Sequence, residues 1–262
     1  MNPEWKTRYE VAIEAARTAG QIASKYFDVE VAVEWKQDHS PVTVADREAE
    51  QFLRATLLGR FPYDGFVGEE FGTHEGSSGY RWYIDPIDGT RSFVRGIPIW
   101  GTLVGLEYQG ECIAGVIVMP ALGGVTYRAL RGDGAYRDER RLHVSPVNTL
   151  GKAHLYYSSV SWFAKGACRE AFLRLVEHTE RQRGFGDFYG FVLVAQGSGE
   201  LMIENGVHSW DVAAVLPIIE EAGGTFSDWT GARTIHRPDV LISNGLLHEE
   251  VLKWLRPTLE AE

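Results

Sequence analysis

Cysteine is almost missing from this chain of 262 residues: Cys112 and Cys168 stand far apart, with no Cys-x-x-Cys pair. That argues against a structural disulfide and fits two free thiols in a reducing compartment. Long apolar runs are missing too. Nothing approaches the roughly 18 uninterrupted apolar residues of a membrane span, and the polar stretch Met1 to Tyr9 does not read as a signal peptide. Positive charge is in deficit, with 26 Lys and Arg against 36 Asp and Glu, a formal charge of −10. This balance argues against nucleic acid, or an anionic membrane surface, as the main partner. There is no internal repeat or low-complexity tract. The expectation is a soluble cytoplasmic protein whose partner is a small molecule.

What is present suffices for a sizeable core: 44% of the residues are hydrophobic and 12% aromatic. Apolar spacing predicts an amphipathic helix over 4–27, a short strand over 29–35, and a second helix from Thr43 with a Thr43/Asp46 capping box. β-branched and aromatic runs predict strands at 80–85, 99–108, 111–119 and 125–129, with Gln109-Gly110 as a tight hairpin. Beyond about residue 150 helices and strands alternate, with helices near 163–180, 188–197, 210–222 and 247–255. Strands fit at 155–159, 201–204, 224–227 and 240–243, and Pro217 must kink or shorten the 210–222 helix. We read a single mixed α and β domain over 1–262, with halves of about 1–148 and 149–262 and no linker.

Four segments carry chemistry: Gly68-Glu69-Glu70; Asp85-Pro86-Ile87-Asp88-Gly89-Thr90; Trp210-Asp211-Val212-Ala213-Ala214; and Lys36 to Thr43, followed by Asp46. In the second, Asp85 is expected to end an apolar strand and Pro86 to turn the chain. Asp88 then returns a second carboxylate beside the first, a hard-oxygen pair suited to Mg²⁺. Gly89 and Thr90 offer backbone amides where a helical turn beginning there would seat phosphate. Taken alone, Glu69-Glu70 reads as a solvated acidic pair, Asp211 as a helix-start residue and Asp46 as a cap. Together they are five or more carboxylates without basic partners nearby in sequence, which is costly unless cations neutralise them. His39, His143, His208 and His236 fit no metal-ligand spacing and read as surface or packing residues.

These segments, in their order and spacing, resemble the signature motifs of the inositol monophosphatase family, and the resemblance runs from Lys36 to about Trp229. It implies an α+β fold, a layered αβαβα sandwich, and commonly a homodimer. It also implies a first Mg²⁺ on Glu69, Asp85 and the Ile87 carbonyl, and a second on Asp85, Asp88 and Asp211. Gly89 and Thr90 would bind phosphate, while Thr90, Glu70 and Asp46 would orient the attacking water. Lys36 and Asp38 would lie on a mobile loop, with room for a third, weaker metal. The implied reaction is phosphomonoester hydrolysis by metal-activated water. The Asp-x-Asp phosphatases that form a covalent phosphoenzyme do not fit the Asp85-x-x-Asp88 spacing. A catalytically silent binding protein is disfavoured because every inferred ligand is present.

For the substrate, Gly186-Asp187-Phe188-Tyr189-Gly190, Thr90 to Gly96 and Pro217 to Gly224 resemble the histidinol-phosphatase branch. An acidic residue beside aromatic rings suits a cationic, ring-bearing substrate. Asp187 would bind the substrate ammonium, with Arg183 and Glu204 shaping the pocket; the competing reading is that Asp187 only caps the following helix. Glu204 keeps the spacing to Asp211 of inositol-binding relatives, so an inositol or sugar monophosphatase stays open.

Overall fold

The computed structural model describes residues 2–36, 40–164 and 168–256. The chain forms two compact units, Met1–Arg140 with Trp210–Ile218, and Arg141–Ser209 with Ile219–Glu262. The compositional change near residue 150 falls close to the passage between them. The return of 210–218 to the first unit is announced by no composition shift.

In the first unit, helix α1 (Pro3–Ser24) starts where the Asn2 side chain accepts the Glu4 amide and Pro3 needs no donor partner. Its buried stripe of Ala12, Ala15, Ala16, Ala19, Gly20 and Ala23 is small, so the helix seats close to the sheet. Strands β1 (Glu34–Trp35) and β2 (Pro41–Val42) form an antiparallel ribbon, so only the last two residues of the expected 29–35 strand are extended. Helix α2 (Val44–Arg60) opens with the expected capping box, Thr43 and Asp46 satisfying each other's donors.

The main sheet is built from β3 (Gly65–Gly68), β4 (Gly72–His74), β5 (Tyr80–Asp88), β6 (Gly101–Tyr108), β7 (Glu111–Met119), β8 (Val125–Leu130), β9 (Gly134–Arg137) and β10 (Arg140–Arg141). Their order is β10-β9-β8-β7-β6-β5-β3-β4. Gln109 and Gly110 both adopt positive φ, 52° and 84°, as a two-residue hairpin turn requires. α1 and α2 cover one face, burying Leu53, Leu57, Phe66, Trp82, Ile84 and Val104 in a common core. One expectation needs correcting. Asp85 does not end its strand: β5 continues through Asp88, with a register irregularity between Asp85 and Asp88. A bulge, rather than a turn, re-aims the second carboxylate.

The second unit holds β11 (His154–Tyr156), α4 (Val160–Phe163), α5 (Cys168–His178), β12 (Arg181–Arg183), α6 (Asp187–Ala195) and β13 (Leu201–Asn205). The chain then runs through α7 (Ser209–Val212) and α8 (Val215–Glu221), which pass into the first unit and back. β14 (Thr225–Ser227), β15 (Asp239–Ser243) and α9 (His248–Leu255) complete it. Its sheet runs β12-β11-β13-β15-β14, with β12, β11 and β13 parallel and β13, β15 and β14 antiparallel. The expected 210–222 helix is two short helices, as Pro217 foreshadows, and α5 forms within the expected 163–180 helix. Cys112 and Cys168 are both buried, and no disulfide joins them. Among the described residues no helix is long and apolar enough to cross a membrane.

Candidate active site

Two parallel strands set the centre of the site. β3 pairs with β5 so that Gly68 lies opposite Ile84, and the Glu69 amide donates to the Ile84 carbonyl at 3.2 Å. The next residue in each segment is acidic, Glu69 just past β3 and Asp85 within β5, so the two lie side by side. Asp85 is buried, 3% exposed, and its side chain accepts the Ile87 amide at 3.0 Å.

Asp211 arrives by close packing. Gly105 and Gly115 face each other across β6 and β7, on the same sheet face as Tyr83 and Asp85 by strand alternation. A Cβ on Gly115 would come within 1.9 Å of the Ala214 carbonyl oxygen, and one on Gly105 within 2.7 Å of Ala213 Cβ. Only glycines at this pair let residues 210–218 lie directly on the strands.

The electrostatics follow from burying these acids together. Burial, then Glu69, Asp88, Asp211 and Asp46, hold the Asp85 carboxyl well above its ordinary value. Burial also raises Glu69, with Lys36 opposing and Asp211 and Asp46 reinforcing. Glu70 is raised by burial, and Asp46 is pushed up to about 6 by burial against the hydrogen bonds from Thr43. A basic partner does exist, contrary to the expectation from neighbouring sequence. Lys36 Nζ donates to Glu69 Oε1 at 2.7 Å and Glu70 Oε1 at 2.6 Å. Asp38 lies outside the described residues.

Thr90 begins the single-turn helix α3 (Thr90–Phe93), with Gly89 before it in the left-handed conformation, φ 87°. The Thr90 hydroxyl donates to the Ile87 carbonyl at 2.9 Å and lies 3.4 Å from Asp46 Oδ1. Ile87, Thr90 and Asp46 are therefore neighbours, and the Ile87 carbonyl already accepts a hydrogen bond.

Sequence reasoning passed over Glu50. It sits one helical turn after Asp46 on α2, fully buried, and accepts the backbone amides of Glu70 at 2.8 Å and Phe71 at 2.9 Å. Burial pushes it up to about 7. Gly68 makes room for it, since a Cβ there would stand 2.0 Å from Glu50 Oε1. The i,i+4 acidic pair on α2 was the available signal.

Arg183, Asp187 and Glu204 belong to the second unit. Arg183 ends β12 and Glu204 lies near the end of β13, at the carboxyl edge of the parallel strands, where open α/β sheets bind ligands. Ser158, just past β11, was also passed over; its hydroxyl donates to Glu204 Oε1 at 2.6 Å. Gly186 packs so closely on Ser158 that a Cβ would come within 2.2 Å of Ser158 Cβ. This brings Asp187 to the same edge. Gly186 holds the cap position of α6, and Asp187 is its first residue, with φ 54°. Phe185 stacks on Tyr156 at 6.0 Å and meets Tyr189 edge-on at 5.7 Å.

The family model described as "Inositol monophosphatase family" matches residues 4–260. The chain belongs to the inositol monophosphatase family. It is 39% identical over 235 residues to the histidinol-phosphatase of Chlorobaculum parvum, covering 89% of this chain and 90% of that one. It is 34% identical to the inositol-1-monophosphatase of Mesorhizobium japonicum over 264 residues, covering 96% and 97%. The crystal structure of extragenic suppressor protein suhB from Bartonella henselae superposes with a TM-score of 0.88 at 29% identity, covering 95% and 98%. As an inositol monophosphatase family member this chain is a phosphatase with an α+β fold, and the family is generally Mg²⁺-dependent. The donors around Asp85 suit that ion: they are all oxygen, and burial, then the neighbouring acids, hold Asp85 well above its ordinary pKa. As the side chains stand, no three His, Cys, Asp or Glu among the described residues are arranged to hold a metal. Lys36 lies against two of the acids.

Proposed function

We propose that this phosphatase is a Mg²⁺-dependent phosphomonoesterase converting L-histidinol phosphate to L-histidinol. The observation that carries the metal half is the buried carboxylate cluster around Asp85, whose mutual repulsion a divalent cation would relieve. Glu69, Asp85 and the Ile87 carbonyl would hold one Mg²⁺; Asp85, Asp88 and Asp211 would hold the second. When bound, the ions supply Lewis acidity that activates water and offsets charge on the phosphoryl and leaving oxygens.

The remaining roles fall to the chain itself. The Gly89 and Thr90 amides receive the phosphate. Thr90 turns its hydroxyl hydrogen from Ile87 toward Asp46 and accepts a hydrogen bond from the attacking water. Glu70, fixed by Glu50, completes that network.

The substrate half is supported by Asp187 beside the aromatic cluster of Phe185, Tyr156 and Tyr189, and by the similarity to a histidinol-phosphatase at 39% identity. Asp187 pairs with the substrate ammonium, and Arg183 and Glu204 shape the pocket. Asp187→Asn is expected to lower kcat/KM for histidinol phosphate about tenfold or more, a charge-assisted contact being worth about 1.5–3 kcal/mol. It should spare an uncharged aryl phosphate; equal loss on both substrates contradicts the role. The second reading, an inositol or sugar monophosphatase, is favoured by Glu204, which Ser158 holds as an acceptor for a polyol hydroxyl.

A further inference from the structure

We propose that Thr102 is a positioning residue for the metal site: its hydroxyl fixes the bulge in β5 that aims the Ile87 carbonyl and the Asp88 carboxylate. This rests on the reading of Asp85, Ile87 and Asp88 as metal ligands. The register of β5 on β6 passes from Asp85 opposite Leu103 to Asp88 opposite Gly101, so Pro86 and Ile87 together face Thr102. A bulge disrupts the regular ladder, and here side chains hold the displaced backbone. The Thr102 hydroxyl donates to the Pro86 carbonyl at 2.9 Å, and the Ile87 amide donates to Asp85 Oδ1 at 3.0 Å. Those two backbone groups belong to one peptide unit, which is therefore pinned at both ends.

The two pins differ in what else is asked of them. Asp85 is wanted by the metal, and the Thr90 hydroxyl that holds the Ile87 carbonyl at 2.9 Å turns away in the proposed reaction. Thr102 has no such second duty, because it works from the back of the sheet. Gly105 packs on residues 213 and 214, so by strand alternation Thr102 and Val104 point to the opposite face, into the core that α1 covers. Thr102 is fully buried there, and a Cβ on Gly20 of α1 would stand 3.6 Å from its Oγ1 and 2.6 Å from Pro120 Cγ. At so tightly packed a position, losing the hydroxyl leaves the buried Pro86 carbonyl without its donor. Rotation of the peptide unit relieves that loss, and it carries the Ile87 carbonyl and Asp88 out of line.

The experiment is calorimetric titration of the full chain with Mg²⁺ alone, on wild type, Thr102→Val, Thr102→Ser and Asp85→Asn, with urea unfolding in chelator alongside. Thr102→Val keeps the shape and removes the hydroxyl. It is expected to bind Mg²⁺ about tenfold more weakly, about 1.4 kcal/mol. Thr102→Ser, which keeps the donor, should bind within about twofold of wild type. Wild-type Mg²⁺ affinity in Thr102→Val overturns the proposal whatever its stability, because a merely structural threonine would lower the unfolding midpoint alone. An equal loss in Thr102→Ser overturns it too. Absence of Mg²⁺ binding in wild type, or wild-type binding by Asp85→Asn, overturns instead the metal reading beneath it. If Thr102→Val does not fold, Thr102→Cys, whose thiol donates only weakly, takes its place: weakened binding supports the proposal and wild-type binding overturns it.

Discussion

Carboxylates in this chain differ less by type than by what each one accepts. Asp46 is both a helix-start residue and a proposed site residue: one oxygen takes the amide and hydroxyl of Thr43 at 2.8 and 2.7 Å, leaving the other toward Thr90. The capping reading and the catalytic reading are thus compatible. Among the described residues Glu50 has no ion-pair partner; two backbone amides hold it, and through them it fixes the turn that carries Glu69 and Glu70. Glu50→Ala leaves two part-buried N–H groups without an acceptor, so a loss of about 1–3 kcal/mol is expected. Glu50→Gln, which keeps one acceptor, should fall between. Urea unfolding and Mg²⁺-dependent kcat/KM should both decline, and wild-type values for Glu50→Ala would refute the positioning role. Glu69, Asp85 and Asp211 were legible because short motifs at fixed spacing name them. Glu50, Ser158 and the partnership of Lys36 with Glu69 and Glu70 were not. Each depends on a contact across 20 to 46 residues of sequence that only the fold closes.

The elements show how that fold is closed. Apolar runs marked most of the strands, because alternation and β-branching survive in any context. Two features lay beyond that pattern. β5 runs on through Pro86 to Asp88, which a sequence reading takes for a turn because Pro cannot donate to a ladder. The second is the descent of residues 210–218 onto Gly105 and Gly115, glycines that look like weak strand residues until the opposing backbone is seen. Gly115→Ala places a methyl 1.9 Å from the Ala214 carbonyl oxygen, and backbone has nowhere to yield cheaply. The expected cost is about 1–3 kcal/mol of stability, with Asp211 displaced. Mg²⁺ affinity should fall by more than the change in melting midpoint explains. Parallel titration and calorimetry would show this, and a variant with wild-type Mg²⁺ affinity would speak against the packing argument.

Over the whole molecule, acidity matters twice, at the site and in how stability responds to pH. His248, at the start of α9, is buried between two serines. Ser227 gives its proton to the Asp228 carbonyl, so it accepts from His248 Nε2 at 2.9 Å. Ser243 accepts the Gly245 amide and donates to Nδ1 at 2.9 Å. The ring is therefore satisfied while neutral, and burial lowers its pKa to about 4. The unfolded chain binds this proton near pH 6.5 and the folded one near 4, so stability is lost as pH falls through that window. The loss is at most about 3 kcal/mol and levels off below it. His248→Gln should show a shallower decline in urea unfolding between pH 7 and 4, and parallel curves would contradict the assignment. The charge of −10 and the scarcity of cysteine argue against a polyanion partner and a disulfide framework, but no composition distinguishes one small phosphate ester from another. On the proposed reading, substrate choice rests instead on a few side chains at the carboxyl edge of the second unit's parallel strands. The most direct test is phosphate release with Mg²⁺ from histidinol phosphate, inositol 1-phosphate and fructose 1,6-bisphosphate, compared as kcat/KM. A preference for histidinol phosphate of about a hundredfold, about 2.7 kcal/mol in transition-state binding, is the predicted result. Comparable rates on all three would contradict it and leave Asp187 a structural residue of α6.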